Sequence, residues 1–201
     1  MTGLFDPPLI PGLRTTEGIV DPVEEAALIA AIDASGLTPF QFGAHQGKRL
    51  TRSFGLQYDF THHQLVETEP LPSWLLPLRE LAAAFAGLDP DALVHALLIR
   101  YDPEAGIGWH KDRPVFDQVI GISLGGTTDM AFRRRRLDQR FDRFRLPLGP
   151  RTAYLLSGEA RDGWEHGIAA HAECRHSVTF RSLRQRERRD APAVGKPSSG
   201  P

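Results

Sequence analysis

The pattern of apolar and polar positions changes period partway along the chain. From Asp21, residues Leu28, Ile29 and Ile32 recur at helical spacing until Ser35 and Gly36 stop the pattern. Asp21 stands where an N-cap belongs and Pro22 at the first helical position, with Glu24 and Glu25 near the positive end of the dipole. A second helix is predicted over 72–86, where Leu75, Leu76, Leu78, Leu81 and Phe85 mark an apolar stripe. Pro77 lies inside it and is expected to end or kink it early. Beyond that helix the period shortens to that of strands, at 94–101, 118–124, 129–133, 143–146, 152–157 and 175–181. Strands so spaced, with no helix expected between them, predict a closed or sandwiched antiparallel architecture.

Upstream, residues 38–60 carry short β-prone pieces separated by Gly43, Gly47 and Gly55, which predicts a hairpin. Aromatic and basic residues interleave here: Phe40, Phe42, Lys48, Arg49, Arg52, Phe54 and Tyr58. That mixture suits stacking a base and holding a phosphate, although such rings can equally well cover a core. Residues 1–20, with Pro7, Pro8, Pro11 and Gly12, are expected to form an extended lead-in, and the tail 184–201 to be mostly disordered. The domain reading is a lead-in and helix over 1–37, one domain over 38–183 that opens with this hairpin, and the tail.

Composition narrows the class without naming a function. The 201 residues are 41% hydrophobic and 24% charged, as expected of one soluble globular domain. A single cysteine, Cys174, excludes an intrachain disulfide framework and points to a reducing compartment. No secretory signal pattern and no long apolar run is present, so a cytoplasmic location, no membrane association and a monomer are expected. The net charge of −1 conceals an asymmetry. Residues 131–190 hold 15 Lys and Arg against 8 Asp and Glu, while the remainder holds 9 against 17. A basic patch suits a polyanionic partner; a salt-bridged surface is the ordinary alternative.

The candidate chemistry centres on Trp109-His110-Lys111-Asp112. On a strand, residues two apart point to the same face, so His110 and Asp112 converge. A lone His-x-Asp is most often a solvated pair. His166, in Trp164-Glu165-His166-Gly167-Ile168, is the candidate third ligand, with His171 as its competitor. Two imidazoles and one carboxylate form the ligand set of non-haem Fe(II) oxygenases. The segment 175–181 would place Arg175, Ser177, Thr179 and Arg181 on one strand face and His176, Val178 and Phe180 on the other. Two guanidinium forks on one face suit a small dicarboxylate. His176 reads as a satisfied core histidine, Cys174 as a small buried hydrophobe, and His95 as structural.

His110-x-Asp112, His166 and Arg175-x5-Arg181 together resemble the AlkB family of Fe(II)/2-oxoglutarate dioxygenases. The likeness runs over about 97–183 and includes Arg100-Tyr101-x-Pro103, Ile122-Ser123-Leu124-Gly125 and Ser157-Gly158-Glu159-Ala160-Arg161. Two positions depart from the family pattern. Ile99 stands where the family often has an Asn that bonds 2-oxoglutarate, and Pro114 where some members have a base-contacting acid.

The resemblance implies a mainly β (α+β) fold, a double-stranded β-helix or jelly roll with the N-terminal helices packed outside. It implies Fe(II) held by His110, Asp112 and His166, with 2-oxoglutarate and O2 as cosubstrates. Arg175 and Tyr101 would bind the distal end of 2-oxoglutarate, and Arg181 would sit at the end by the metal. The resemblance would also make 38–183 the catalytic domain, with a substrate lid at about 38–60 on which Arg52, Phe54 and Tyr58 are the candidate substrate contacts. The expected activity is oxidative dealkylation of N-alkylated bases in DNA or RNA, so a nucleic-acid partner is expected. Hydroxylation or demethylation of a protein side chain is the alternative, and a non-catalytic scaffold conflicts with a complete ligand triad.

Overall fold

In the computed structural model, residues 10–42, 45–59 and 64–184 are described, and the side chains at 41, 42, 45, 46 and 57–59 fall outside that description. The tail beyond Arg184 and the first nine residues also lie outside it. Among the described residues, twelve strands form two sheets.

The larger sheet contains β1 (Leu13–Thr16), β2 (Thr38–Phe42), β3 (His45–Asp59), β4 (Gln64–Glu67), β5 (Leu93–Tyr101), β7 (Phe116–Gly125), β10 (Thr152–Leu156) and β12 (Arg175–Leu183). Its order is β1-β10-β7-β12-β5-β3-β2, with β4 paired to β3. The smaller sheet contains β6 (Ile107–His110), β8 (Thr128–Arg135), β9 (Phe141–Leu148) and β11 (Glu165–Ile168), in the order β6-β11-β8-β9. Every strand pairing is antiparallel. This is the expected double-stranded β-helix, with the helices outside it.

Each face of the larger sheet meets a different core. The outer face packs under α1 (Pro22–Asp33) and α2 (Leu76–Ala86), burying Ile32, Leu78, Leu98, Ile122, Val178 and Phe180. The inner face meets the smaller sheet through Tyr101, Met130, Phe132, Tyr154 and Trp164. The site lies in this second space.

Local chemistry explains the helix boundaries. Asp21 accepts from the amides of Val23 at 2.7 Å and Glu24 at 2.8 Å, and Glu24 accepts from the Asp21 amide at 2.9 Å. That is a capping box. Pro77 does not kink the second helix. A 3₁₀ turn over Ser73–Leu75 comes first, and α2 starts at Leu76, so Pro77 falls in its first turn, where no amide is needed. Leu81, expected on the apolar stripe, is 41% exposed.

Two further expectations are corrected. The lead-in is not merely extended: Leu13–Thr16 pairs with β10 as an edge strand. A five-residue helix, α3 (Gly158–Asp162), interrupts the strands before His166.

The lid hairpin does form, from β2 and β3. β3 is bent at Gly55, where φ is +80° and a Cβ would lie 2.1 Å from the Val94 carbonyl oxygen, so only glycine fits. Before the bend β3 pairs with β5, and after it with β4. Among the described residues no helix is long and apolar enough to cross a membrane.

Candidate active site and metal centre

Strand alternation assembles the site. From β5, His95, Leu97, Ile99 and Tyr101 face the space between the sheets. From β12, Arg175, Ser177, Thr179 and Arg181 do the same. With β6, β8, β11 and the start of β3 they line a cavity of about 680 Å³, a usual size for a small-molecule site.

His110, Asp112 and His166 come together at one end of that cavity. His166 on β11 pairs in register with His110 on β6, and their ring centroids lie 4.3 Å apart. A His166 ring nitrogen is 3.6 Å from Asp112 Oδ2. The other carboxylate oxygen, Oδ1, accepts from Arg181 Nε and Nη2, each at 2.8 Å. Asp112 thus has one oxygen fixed by a guanidinium and the second turned toward the imidazoles. Lys111, between the two ligand candidates, points elsewhere and donates to the Asp162 carbonyl at 2.8 Å. The loop after Asp112 is held by the buried Arg161, which donates to the carbonyls of Arg113 and, at 3.1 Å, Phe116.

The electrostatics favour ligand forms. Burial alone would push the Asp112 carboxyl up, but Arg181, with His166 and Arg161 behind it, holds it well below the usual carboxylate range. Burial pushes His166 down to about 4, against the opposing pull of Asp112, so its imidazole is neutral at neutral pH. Its approach to Asp112 is therefore a contact rather than an ion pair. His110 is also lowered by burial. Its Nδ1–H donates to the Gly108 carbonyl at 2.9 Å, leaving Nε2 to ligate. Among the described residues no three His, Cys, Asp or Glu side chains are placed so that they could hold a metal ion as they stand, so His110, Asp112 and His166 would have to close in on one. The fit rests on the donor set: two neutral imidazoles and one ionised carboxylate, converging on one end of a cavity.

Arg175 supplies the second observation. It is 1% exposed, its Nε donates to Ser123 Oγ at 2.9 Å, and among the described residues its Nη1 and Nη2 have no hydrogen-bond partner. Leaving buried charged donors unpaired is costly, so an anion belongs there. Tyr101 lies beside it, with the guanidinium 5.2 Å from the ring centroid. Ile99 lines the cavity without polar atoms. Tyr154, which the sequence reading passed over, is 7% exposed and reaches the same space. It passes over Gly121, where a Cβ would lie 2.1 Å from the ring, so only glycine leaves room. Burial pushes its phenol up to about 12, with Arg175 opposing the shift, so it is a hydroxyl donor at working pH.

His95 is a second residue missed. Its ring stacks on Phe116 at 5.2 Å, and Arg181 Nη1 donates to its Nδ1 at 3.1 Å. Burial holds it well below the ordinary histidine value, with Arg181 adding to the effect. It is a neutral acceptor that steadies the arginine holding Asp112. Its distance along the chain misled, because β5 and β12 are antiparallel and His95 is the register partner of Arg181. Counting back from Tyr101 by twos would have found it.

The substrate contacts expected on the lid are not brought to the cavity. Phe54 is 5% exposed in the core under the helices, and Arg52 donates to the Ser35 carbonyl at 2.6 Å and to Glu69 at 2.7 Å. Both sit on the outer face of β3. The side chain of Tyr58 lies outside the described residues. The inner face instead presents Arg49 and Ser53. His176 is a satisfied core histidine, donating to Asp33 at 2.9 Å. His171 donates from Nδ1 to the Glu173 carbonyl at 2.8 Å, with its ring 6.0 Å from that of Tyr101. Cys174 is half-buried rather than buried. Burial pushes its thiol up, with Arg100 opposing.

The jelly roll, the converging triad and the unpartnered Arg175 define a class that comparison with known proteins makes explicit. The model of the 2OG-Fe(II) oxygenase superfamily matches residues 36–189, and the chain belongs to that superfamily. Within it the chain is an AlkB-like dioxygenase, for which Fe(II), 2-oxoglutarate and O2 are the implied cofactor and cosubstrates.

It is 28% identical over 173 residues to the tRNA (carboxymethyluridine(34)-5-O)-methyltransferase alkbh8 of Xenopus tropicalis, covering 82% of this chain and 26% of that protein. It is 29% identical over 186 residues to the alkylated DNA repair protein ALKBH8 homolog of Arabidopsis thaliana, covering 81% of this chain and 52% of that protein. The chain thus spans about a quarter and about half of these relatives. The solved structure of OsALKBH1 superposes with a TM-score of 0.64 at 16% identity, over 88% of this chain and 99% of that one. A 2OG-Fe(II) oxygenase family oxidoreductase from Burkholderia pseudomallei gives 0.58 at 18%, over 86% of each. These two show the shared fold.

Proposed function

We propose that this dioxygenase removes alkyl groups from the nitrogens of nucleobases in a nucleic acid. The observation that carries the reading is the cavity. Besides the His110–Asp112–His166 end, its lining includes Phe40, whose ring centroid lies 3.9 Å from the Arg49 guanidinium, and Trp109, whose centroid lies 4.5 Å from the guanidinium of Arg133. Cation–aromatic pairs beside a pocket with room for a ring suit a base that has left its stack. The names of the relatives, one for tRNA modification and one for alkylated DNA repair, support the same substrate class.

In this reading His110, Asp112 and His166 hold Fe(II). Arg175 binds the distal carboxylate of 2-oxoglutarate as a fork, with the hydroxyls of Tyr101 and Tyr154 beside it. Bound there, Fe(II) with 2-oxoglutarate and O2 supplies the oxidising chemistry that inserts one oxygen atom into the C–H bond and leaves succinate and CO2. Arg181 keeps Asp112 ionised and oriented. The apolar Leu97, Ile99, Val119 and Met130 line the cavity and keep water from it. The hydroxymethyl product on nitrogen then loses formaldehyde and restores the N–H.

Pro114, which prompted the protein-substrate alternative, does not line the cavity, and its carbonyl accepts from Arg184 at 2.7 Å. The test is to incubate the protein with Fe(II), 2-oxoglutarate and single strands carrying N-methylated bases, reading formaldehyde and product mass. Release of formaldehyde with loss of one methylene mass supports the reading. No formaldehyde from any methylated oligonucleotide overturns it.

A further inference from the structure

Arg49 is the cavity cation for which neither iron nor 2-oxoglutarate accounts. It stands on the inner face of β3 and lines the cavity. It is close enough to the metal end that its charge helps to disfavour protonation of His110. Burial lowers its own basicity. Among the described residues no carboxylate pairs with it; its guanidinium lies 3.9 Å from the Phe40 ring centroid, and it interacts electrostatically with Tyr101. Other basic side chains near the mouth are satisfied, Lys111 by the Asp162 carbonyl and Arg133 by Glu165 at 2.6 Å.

Charge counting sharpens the point. Arg181 is neutralised by Asp112. In the proposed site Arg175 is engaged by the distal carboxylate of 2-oxoglutarate. Arg49 then remains, among the described residues, a partly desolvated cavity cation with no carboxylate partner. An uncompensated charge in such a place is expensive unless a ligand pairs with it. Phe40 packs against the guanidinium and offers its N–H groups no acceptor, which leaves them for a fork-like bond to a ligand.

We propose that Arg49, packed against Phe40, is a binding site for an oxyanion carried by the substrate itself. Within the nucleic-acid reading, on which this inference rests, that oxyanion is either a phosphate next to the target nucleotide or a carboxylate on its base. Both present two oxygens in one plane, which is what the guanidinium edge recognises. The site selects substrates carrying a negative charge at a fixed distance from the reacting carbon, and neutral alkylated nucleosides are poor ligands for it.

The experiment measures equilibrium binding by the Fe(II)- and 2-oxoglutarate-loaded protein, kept anaerobic so that no turnover occurs. The probes are methylated single strands of three kinds: unmodified in backbone, with one neutral methylphosphonate beside the target nucleotide, and with a carboxymethyl group on the target base. Arg49→Gln is expected to weaken binding of its preferred strand by roughly 10- to 100-fold, the loss of a charge-assisted hydrogen bond. Arg49→Lys, which keeps the charge without the fork, and Phe40→Leu, which removes the packed ring, are expected to fall between. The affinity of Arg49→Gln for 2-oxoglutarate stays at the parent value, which separates the effect from misfolding.

If the phosphate is the ligand, the methylphosphonate weakens binding by the parent and abolishes the difference between parent and Arg49→Gln. If a base carboxylate is the ligand, that difference survives the methylphosphonate and is largest on the carboxymethylated base. Parent and Arg49→Gln binding all three strands equally overturns this inference and leaves the nucleic-acid reading standing. A parent that binds none of them overturns both.

Discussion

Arginines are concentrated in two parts of this molecule, and the two are built on opposite terms. On the β8–β9 hairpin, Arg133 faces Glu165, Arg134 faces Asp142 and Glu159, Arg136 faces Asp138 and Asp142, and Arg145 faces Asp129. Between the sheets, among the described residues, Arg175 keeps two nitrogens with no hydrogen-bond partner at 1% exposure, and Arg49 packs on an aromatic ring with no carboxylate partner. The hairpin has the higher density of positive charge along the chain, but most of its guanidiniums are paired with carboxylates. Exposed ion pairs of its kind are worth roughly 0–1 kcal/mol each and make little demand on a ligand. Buried guanidinium nitrogens without partners demand one. Unsatisfied donors, not charge density, mark where an anion binds.

The sharpest break of this contrast comes from removing the one cavity pairing that is already complete. Asp112→Ala removes a proposed metal ligand and leaves Arg181 as a third cavity cation without a carboxylate partner, while His110→Ala removes a ligand and no charge. Both are expected to lose Fe(II) binding and succinate formation, measured by iron stoichiometry and by 2-oxoglutarate turnover. Full turnover in both variants would refute the metal assignment. Next in size is Arg175→Ala. It deletes a charge-assisted pair in a desolvated site, for a cost of about 2–4 kcal/mol, or roughly 30- to 1,000-fold in 2-oxoglutarate affinity. Because Ile99 offers no amide to share the load, the effect belongs toward the upper part of that range. Calorimetry on the loaded protein reads it, and unchanged affinity would mean that the unpartnered nitrogens serve something else.

The two ends of the cavity were unequally legible in the sequence, for a physical reason. The metal end was readable because its residues lie on strands or, for Asp112, two residues past the end of one, where spacing by twos sets the face. His110 and Asp112, and Arg175 and Arg181, therefore share a direction whatever the rest of the fold does. The lid was not readable in the same way. Its aromatic-basic composition pointed to β3 but not to a face, and one step of parity separates Arg49 from Arg52 and Phe54. The helices decide that step. α1 and α2 cover the outer face of the sheet and take Phe54 into the core, where burying such a ring stabilises by roughly 1.5–3 kcal/mol. Only the β3–β5 register, Arg52 opposite Leu98 and Phe54 opposite Ala96, shows which residues remain for the cavity. His95 and Tyr154 were hidden differently: each owes its role to a partner strand far away in sequence.

A gentler way to probe the cavity is to titrate it. Burial holds His166 at about 4 and lowers His110 and His95 as well. Their unfolded counterparts titrate near 6.5, so between these values the unfolded chain binds more protons than the folded one. The stability they contribute is complete above about pH 6.5 and is lost as pH falls toward 4. For His166 alone the loss amounts to roughly 3 kcal/mol at full protonation. Denaturant unfolding of the metal-free protein across that window is expected to show midpoints falling with pH. His95→Gln, an uncharged side chain that still offers an acceptor to Arg181, is expected to flatten the slope. A pH-independent midpoint would mean that these imidazoles are more open to water than the structure has them.

The smallest effect is expected where the sequence put the most charge. Arg134→Gln and Arg136→Gln remove two guanidiniums that are 41% and 56% exposed in their side chains and already paired. Each variant frees a carboxylate as it removes a cation, so the local field turns negative. Even so, at the 10 Å screening length of about 0.1 M salt, little of that reaches a strand seated at the cavity mouth. Affinity for a methylated single strand is expected to fall less than about 3-fold, within the 1 kcal/mol typical of an exposed pair. The slope of log affinity against log salt should change by much less than the unit or so per variant that a direct phosphate contact would remove. A loss of 10-fold or more, with a shallower salt slope, would mean that the hairpin exchanges its internal carboxylates for phosphates on binding. The contrast between satisfied and unsatisfied arginines would then hold only for the free protein.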